Sequence, residues 1–222
     1  MGTFLVTGAD RGIGQAVCVR LQSRGERVIA ACLGDSPFLE RIGVQVERNI
    51  DVTSDAAVTG LAIRLQGTPL DVLLSNAGVL RDGGLGELDF GDLRRQFEIN
   101  ALGPLRVTEA LLPCLRAGSK VAIITSRVGS LTDNSSGGLY GYRMSKAAAN
   151  MAGVSLAHDL KERGIAVILL HPGMVRTELT KGMVGEFIEP EEAARGLLTR
   201  IDELTLETTG SFRHANGDFL PW

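Results

Sequence analysis

At 222 residues and a net charge of −3, the chain is long enough for one substantial α/β core and lacks the basic excess that nucleic acid demands. Its apolar runs, such as residues 28–33 and 165–170, are strand-length and fall short of a membrane span. Three scattered cysteines, Cys18, Cys32 and Cys114, have no metal-ligand spacing, and no charged-then-apolar leader precedes the first apolar run; both point to free thiols in a cytoplasmic setting.

The chain opens on a β-prone run, residues 4–7, followed by Thr7-Gly8-Ala9-Asp10-Arg11-Gly12-Ile13-Gly14 and an apolar-periodic helix over 12–24. A strand, a glycine turn and a helix N-terminus make an anion seat. Free N–H groups point outward there, and glycines let the backbone approach a pyrophosphate closely. The spacing, Gly8-x-x-x-Gly12-x-Gly14, differs from the commonest G-x-G-x-x-G fingerprint. Taken alone, the segment also admits the plainer reading of a tight turn with no ligand.

Beyond it, strand-like and helix-like segments alternate. Strands are predicted at 27–32, 44–49, 72–75, 121–125, 165–170 and 211–213, with helices at 54–66, 90–115, 140–163 and 190–201. Right-handed crossovers would gather the strands into a single doubly wound parallel sheet of about seven strands, helices on both faces, in one Rossmann-type domain. In such a sheet ligands bind beyond the C-terminal strand ends. Four chemically loaded segments come directly after strands here: the glycine turn, Asn76-Ala77-Gly78, Ser126 and His171-Pro172-Gly173.

Tyr142-Arg143-Met144-Ser145-Lys146 then gains meaning. Reducing a carbonyl needs a proton for the oxygen as charge develops there, and a phenol can donate it. Lys146, one helical turn beyond Tyr142, lies on the same face and would favour the phenolate. Tyr140 has Met144, not Lys, at that offset. The plainer alternative is a buried Tyr and a solvated Lys on one helix.

These features, in this order, resemble the short-chain dehydrogenase/reductase family over nearly the whole chain. The segments Ser126-Arg127-Val128-Gly129-Ser130 and Leu220-Pro221-Trp222 look like its C-factor and sniffer-type carbonyl reductase branch. The resemblance implies NAD(P)-dependent hydride transfer on a small carbonyl or alcohol substrate. It implies a catalytic set of Tyr142, Lys146, Ser126, which would polarise the substrate oxygen, and Asn100, which would order a water linking Lys146 to solvent. Ser130 is the rival to Ser126, and Asn100 is also readable as a kink before Pro104. Among cofactor contacts it implies Gly8, Asp10, Arg11, Gly12, Ile13 and Gly14 around the phosphates. Asp51 and Val52 would lie at the adenine, Asn76, Ala77 and Gly78 along the ribose, and Pro172, Gly173, Val175 and Thr177 at the nicotinamide, beside Tyr142 and Lys146. Asp51 and Thr177 are alternatively helix-leading caps.

NADP(H) is favoured over NAD(H), because neither Cys32 nor Leu33 is acidic and Arg11 could pair with a 2′-phosphate. Asp35 is the residue that would argue for NAD. A short lid is expected near residues 174–190, with Met174, Val128, Leu131, Leu139 and Val79 as apolar lining and Arg81 as a receptor for an anionic substrate or a solvated cation. The apolar end of the chain, 218–222, should dock on its own pocket edge or on another subunit. The small residues Ala147, Ala148, Ala149 and Gly153 suggest a helix contact in a homodimer or homotetramer. His158, His171 and His214 form no metal constellation, so no metal is expected. A cofactor-binding sensor or signalling protein, in which turnover is secondary, is the competing reading. The extended epimerase and dehydratase relatives are disfavoured by the chain's brevity and glycine spacing.

Overall fold

A computed structural model describes residues 1–81 and 83–222. Seven strands form one all-parallel sheet: β1 (Thr3–Thr7), β2 (Arg27–Ala31), β3 (Gln45–Glu47), β4 (Leu70–Ser75), β5 (Leu115–Ile124), β6 (Ala166–His171) and β7 (Ser211–His214). Their order is β3-β2-β1-β4-β5-β6-β7. The order reverses between β1 and β4, which opens a crevice at their C-terminal ends.

Side chains alternate across β1, so Phe4 and Val6 enter one core and Leu5 the other. The first core is closed by α1 (Gly12–Ser23) and α7 (Pro190–Glu203), through Val17, Leu21, Leu197 and Ile201. The second is closed by α3 (Asp55–Arg64), α5 (Gly103–Ala110) and α6 (Tyr140–Lys161), through Leu61, Val107 and Leu160. Burial on both faces explains why the central strands read as near-continuous apolar runs. A short α2 (Pro37–Arg41), with Pro37 in its first turn, was not anticipated.

The largest departure lies in residues 90–115, expected as one helix. Helix α4 (Phe90–Phe97) passes into a π-helical turn, Glu98–Leu102, before α5, and Leu115 already pairs with Leu70 in the sheet. Pro104 sits in the first turn of α5, where its missing N–H costs least. The π turn carries Asn100 and lies at the crevice, where such bulges are often found.

Two other expectations are narrowed. Ala149 and Gly153 face the sheet rather than a partner helix: Ala149 is fully buried, and a Cβ on Gly153 would run into Leu169. The apolar end of the chain folds back on its own subunit. The Trp222 ring stacks on Phe212 with centroids 5.4 Å apart, and its backbone oxygen accepts a 3.0 Å hydrogen bond from Thr132 N–H.

Candidate active site

A cleft of about 1440 Å³ runs along the C-terminal ends of β1, β4, β5 and β6. Its floor at one end is the glycine turn. Gly8 (φ +61°) and Gly12 (φ +54°) take left-handed conformations that side chains resist. A Cβ on Gly8 would come within 2.8 Å of Ala77 Cα, and one on Gly14 would overlap Gly8 O and the Asn76 amide. Asn76 fixes this approach by donating to Thr7 O and Gly8 O, each at 3.0 Å, while its own N–H donates to Thr7 Oγ1 at 3.0 Å. At the N-terminus of α1, Arg11 is extended, no side chain caps the helix, and no acid stands in its first turn. Those N–H groups face the cleft with the positive end of the helix dipole, a cradle fitted to a dinucleotide's phosphates.

The other residues expected to meet the cofactor line the same cleft. Asp10, Ile13, Val52, Gly78, Pro172, Gly173 and Val175 all do so. Asp51 lines it too, although its Oδ1 also accepts from Thr53 N–H at 2.9 Å, just before Ser54 caps α3. Thr177 lines it as well. It caps the turn Glu178–Thr180, and its methyl would sit 3.3 Å from a Cβ on Gly12, so the lid segment and the glycine loop face each other. Of the expected apolar lining, Val79, Val128, Leu139 and Met174 are present; Leu131 is 82% exposed and stands outside the cleft.

Tyr142, Ser126 and Lys146 meet at the far end of the cleft. Ser126 lies just past the end of β5 and is buried, whereas Ser130 is spent on a turn, its Oγ accepting from Asp133 N–H at 3.1 Å. Burial pushes the Tyr142 phenol up to about 12, and a hydrogen bond with Ser126 opposes that rise. Lys146 is 3% exposed; its Nζ lies 5.6 Å from the Tyr142 ring centroid and donates to Ile124 O at 2.9 Å. Desolvation pulls its ammonium down to about 8. The expected phenolate bias is therefore outweighed here: the chain alone holds Tyr142 as a protonated acid beside a lysine that titrates near neutrality.

Asn100, fully buried on the π turn, is a bracket between elements. It donates to Val79 O at 2.8 Å and Ser145 Oγ at 3.0 Å, and accepts from Val79 N–H at 2.9 Å. Its Oδ1 and Lys146 Nζ both flank Gly78, at 3.3 and 3.7 Å from where a Cβ would stand. The kink and the placement beside Lys146 are thus the same feature.

Three contributors had no role of their own assigned from the sequence. Buried Gln96 accepts from Arg81 N–H at 3.0 Å and packs against Gly141, leaving no room for a Cβ there. Arg143 organises the 134–138 loop, donating to Val128 O, Gly137 O and Ser136 Oγ at 3.2, 3.2 and 2.9 Å. A basic residue shortly after Gly137-Gly138 was the available signal. His171 lines the cleft edge-on to His214, and burial first, then the nearby His214, Arg127 and Lys146, pull it down to about 3, so it stays neutral. The three thiols are buried and free, and burial raises each, so none is a nucleophile at neutral pH.

Residues 2–186 match the family model for short chain dehydrogenase. Over its full length the chain is 54% identical to the whole of a 1-hydroxy-2-glutathionyl-2-methyl-3-butene dehydrogenase from Rhodococcus sp. strain AD45. It is 48% identical to C-signal from Myxococcus xanthus, over 69% of this chain and 93% of that one. The NADPH-bound carbonyl reductase from chicken fatty liver superposes with a TM-score of 0.91 at 27% identity, covering 100% of this chain and 99% of that one. Fold, ordered motifs and relatives agree: the chain belongs to the short-chain dehydrogenase/reductase family, and it is an enzyme.

Proposed function

We propose that the protein reduces a carbonyl or oxidises an alcohol with NADP(H), Tyr142 exchanging the proton. The observation that carries this reading is the meeting of a half-buried Tyr142, its phenol pushed up to about 12, with Ser126 and Lys146 in the same cleft that holds the glycine-turn cradle. Bound along that cleft, the cofactor would supply or take up the hydride. In reduction, the Tyr142 hydroxyl donates its proton to the substrate oxygen, and the Ser126 hydroxyl stabilises the charge gathering there. The Lys146 ammonium stabilises the phenolate left behind. Asn100 fixes the Val79 segment against α6, so these groups stay aligned.

The preference for NADP(H) rests on charge at the end of β2. Leu33 is 58% exposed there, with no carboxylate in its place. Asp35, the one acid that would serve a ribose diol, is turned to Arg48 at 3.3 Å. Arg11 is 75% exposed and only loosely paired with Asp10, at 3.9 Å. Its guanidinium is free to take a 2′-phosphate. NADPH in the chicken carbonyl reductase supports the same choice.

For the substrate, the relative at 54% identity is named for oxidising a hydroxyl compound that carries a glutathionyl group. We read this chain as acting on an alcohol or carbonyl of that polar, thioether-bearing kind. The test is oxidation and reduction of a panel of aldehydes, ketones and thioether alcohols with each cofactor, alongside Arg11→Ala. The expected result is turnover with NADP(H), and for Arg11→Ala a weakening of NADPH by about tenfold, against about twofold or less for NADH. Equal losses for both cofactors would remove Arg11 from the account. The similarity to C-signal supports one second reading, a signalling protein that binds the cofactor with turnover secondary. Tight cofactor binding with no turnover across the panel would favour it.

A further inference from the structure

We infer that Arg81 and Arg95 form a receptor for carboxylate groups on the substrate, at the Tyr142 end of the cleft. The inference rests on the oxidoreductase reading above for the site, but on separate residues.

The cleft is lined by several arginines, and their engagements differ. Arg106 is bonded to Val52 O and paired with Asp55 and Glu98; Arg127 is paired with Asp133, Arg176 with Glu189. Arg143 is consumed by the three loop oxygens it binds. Arg11 belongs to the glycine turn. Among the described residues, only Arg81 and Arg95 bring to this wall a guanidinium with no ion pair or hydrogen bond. Both are exposed, so neither charge is needed to hold the fold.

Their backbone positions are nevertheless fixed. Val79 is bonded to Asn100 through both its N–H and its carbonyl, and Arg81 N–H donates to Gln96 at 3.0 Å. Gln96 is 1% exposed, comes directly after Arg95, and abuts Gly141, the neighbour of Tyr142. One buried amide thus locks the Arg81 loop, the Arg95 turn of α4 and the start of α6 together. The pair therefore stands on the proton-donor side, while the phosphate cradle is built on the opposite end around Gly8 and Gly12. A guanidinium matches a carboxylate with paired, charge-assisted N–H donors, and two of them suit a ligand bearing two carboxylates. A glutathionyl group carries two by its own chemistry. Its thioether arm would lie along the cleft from Tyr142 toward the rim.

The probe is S-methylglutathione, titrated into the NADPH-loaded protein by calorimetry, with its diethyl ester as the uncharged control. Arg81→Ala and Arg95→Ala are each expected to weaken it roughly tenfold, and the Lys variants to recover part of that loss. The ester is expected to bind at least tenfold more weakly than the free acid, and added salt to narrow that gap. Wild-type affinity in the Ala variants, or equal affinity for acid and ester, would overturn the proposal. So would a loss of NADPH affinity in these variants with the peptide unaffected, because the guanidiniums would then serve the cofactor. Tyr142→Phe separates the two readings: it should cut turnover by about 10²–10⁴ yet leave S-methylglutathione binding in place.

Discussion

The two ends of the cleft are built from different materials. At the glycine turn nearly everything is backbone: left-handed glycines, uncapped N–H groups and a strand-to-helix approach too tight for a Cβ. At the Tyr142 end the work is done by side chains whose ionisation is set by burial. On the proposed reading, the first end recognises a charge by shape and dipole and is indifferent to pH. The second holds a movable proton, and its chemistry depends on how dry it is. Failure should therefore obey different rules at each end.

The sharpest contrast comes from alanine at two left-handed glycines. Gly8→Ala meets both a forbidden φ and Ala77 Cα at 2.8 Å, whereas Gly137 has φ +64° with open space around it. Gly8→Ala should cost on the order of 2–4 kcal/mol and abolish stabilisation by NADPH; Gly137→Ala should cost only about 1 kcal/mol. Thermal melts with and without NADPH check this. Equal losses at the two positions would mean that close approach at the glycine turn is not what makes it special.

A smaller effect should appear at the other end as pH changes. Lys146 carries its charge below about 8 and loses it above. Carbonyl reduction is expected to be level up to neutrality and to fall by up to about tenfold per pH unit beyond 8, as the ammonium supporting Tyr142 disappears. Stability should move the opposite way. The folded pKa of Lys146 lies below its usual 10.5, so between about 8 and 10.5 the unfolded chain binds more protons, and folding gains with rising pH. A pH–rate profile taken beside pH-dependent denaturation separates the two trends. A profile flat to about pH 10 would break the assignment to Lys146.

The same division explains what the sequence made legible. Backbone-built features leave compositional traces, so the glycine turn and the parallel sheet were readable from Gly8, Gly12, Gly14 and the buried runs at β2 and β6. Tyr142 and Lys146 were readable from their spacing, and Ser126 from its place just beyond a strand end. The π turn at Glu98–Leu102 was not, because one extra residue per turn barely disturbs an apolar periodicity, and Pro104 fits a helix start as readily as a kink. Nor was the end of that segment, since Leu115 is apolar in either setting and only its pairing with Leu70 makes it a strand residue. The roles of Gln96 and His171 were not legible for another reason. Their importance lies in burial and in partners far off in sequence, and residue type alone carries neither. The raised pKa of Tyr142 was likewise invisible, because spacing gives the distance to Lys146 but not the dryness around both.

The most direct test is Tyr142→Phe, comparing steady-state reduction of the best panel substrate with NADPH affinity from fluorescence titration. A fall in kcat of about 10²–10⁴, with the cofactor dissociation constant within about twofold, is the expected result for a lost proton donor in an intact cradle. Turnover within about tenfold of wild type would contradict the account, because some other group would then deliver the proton.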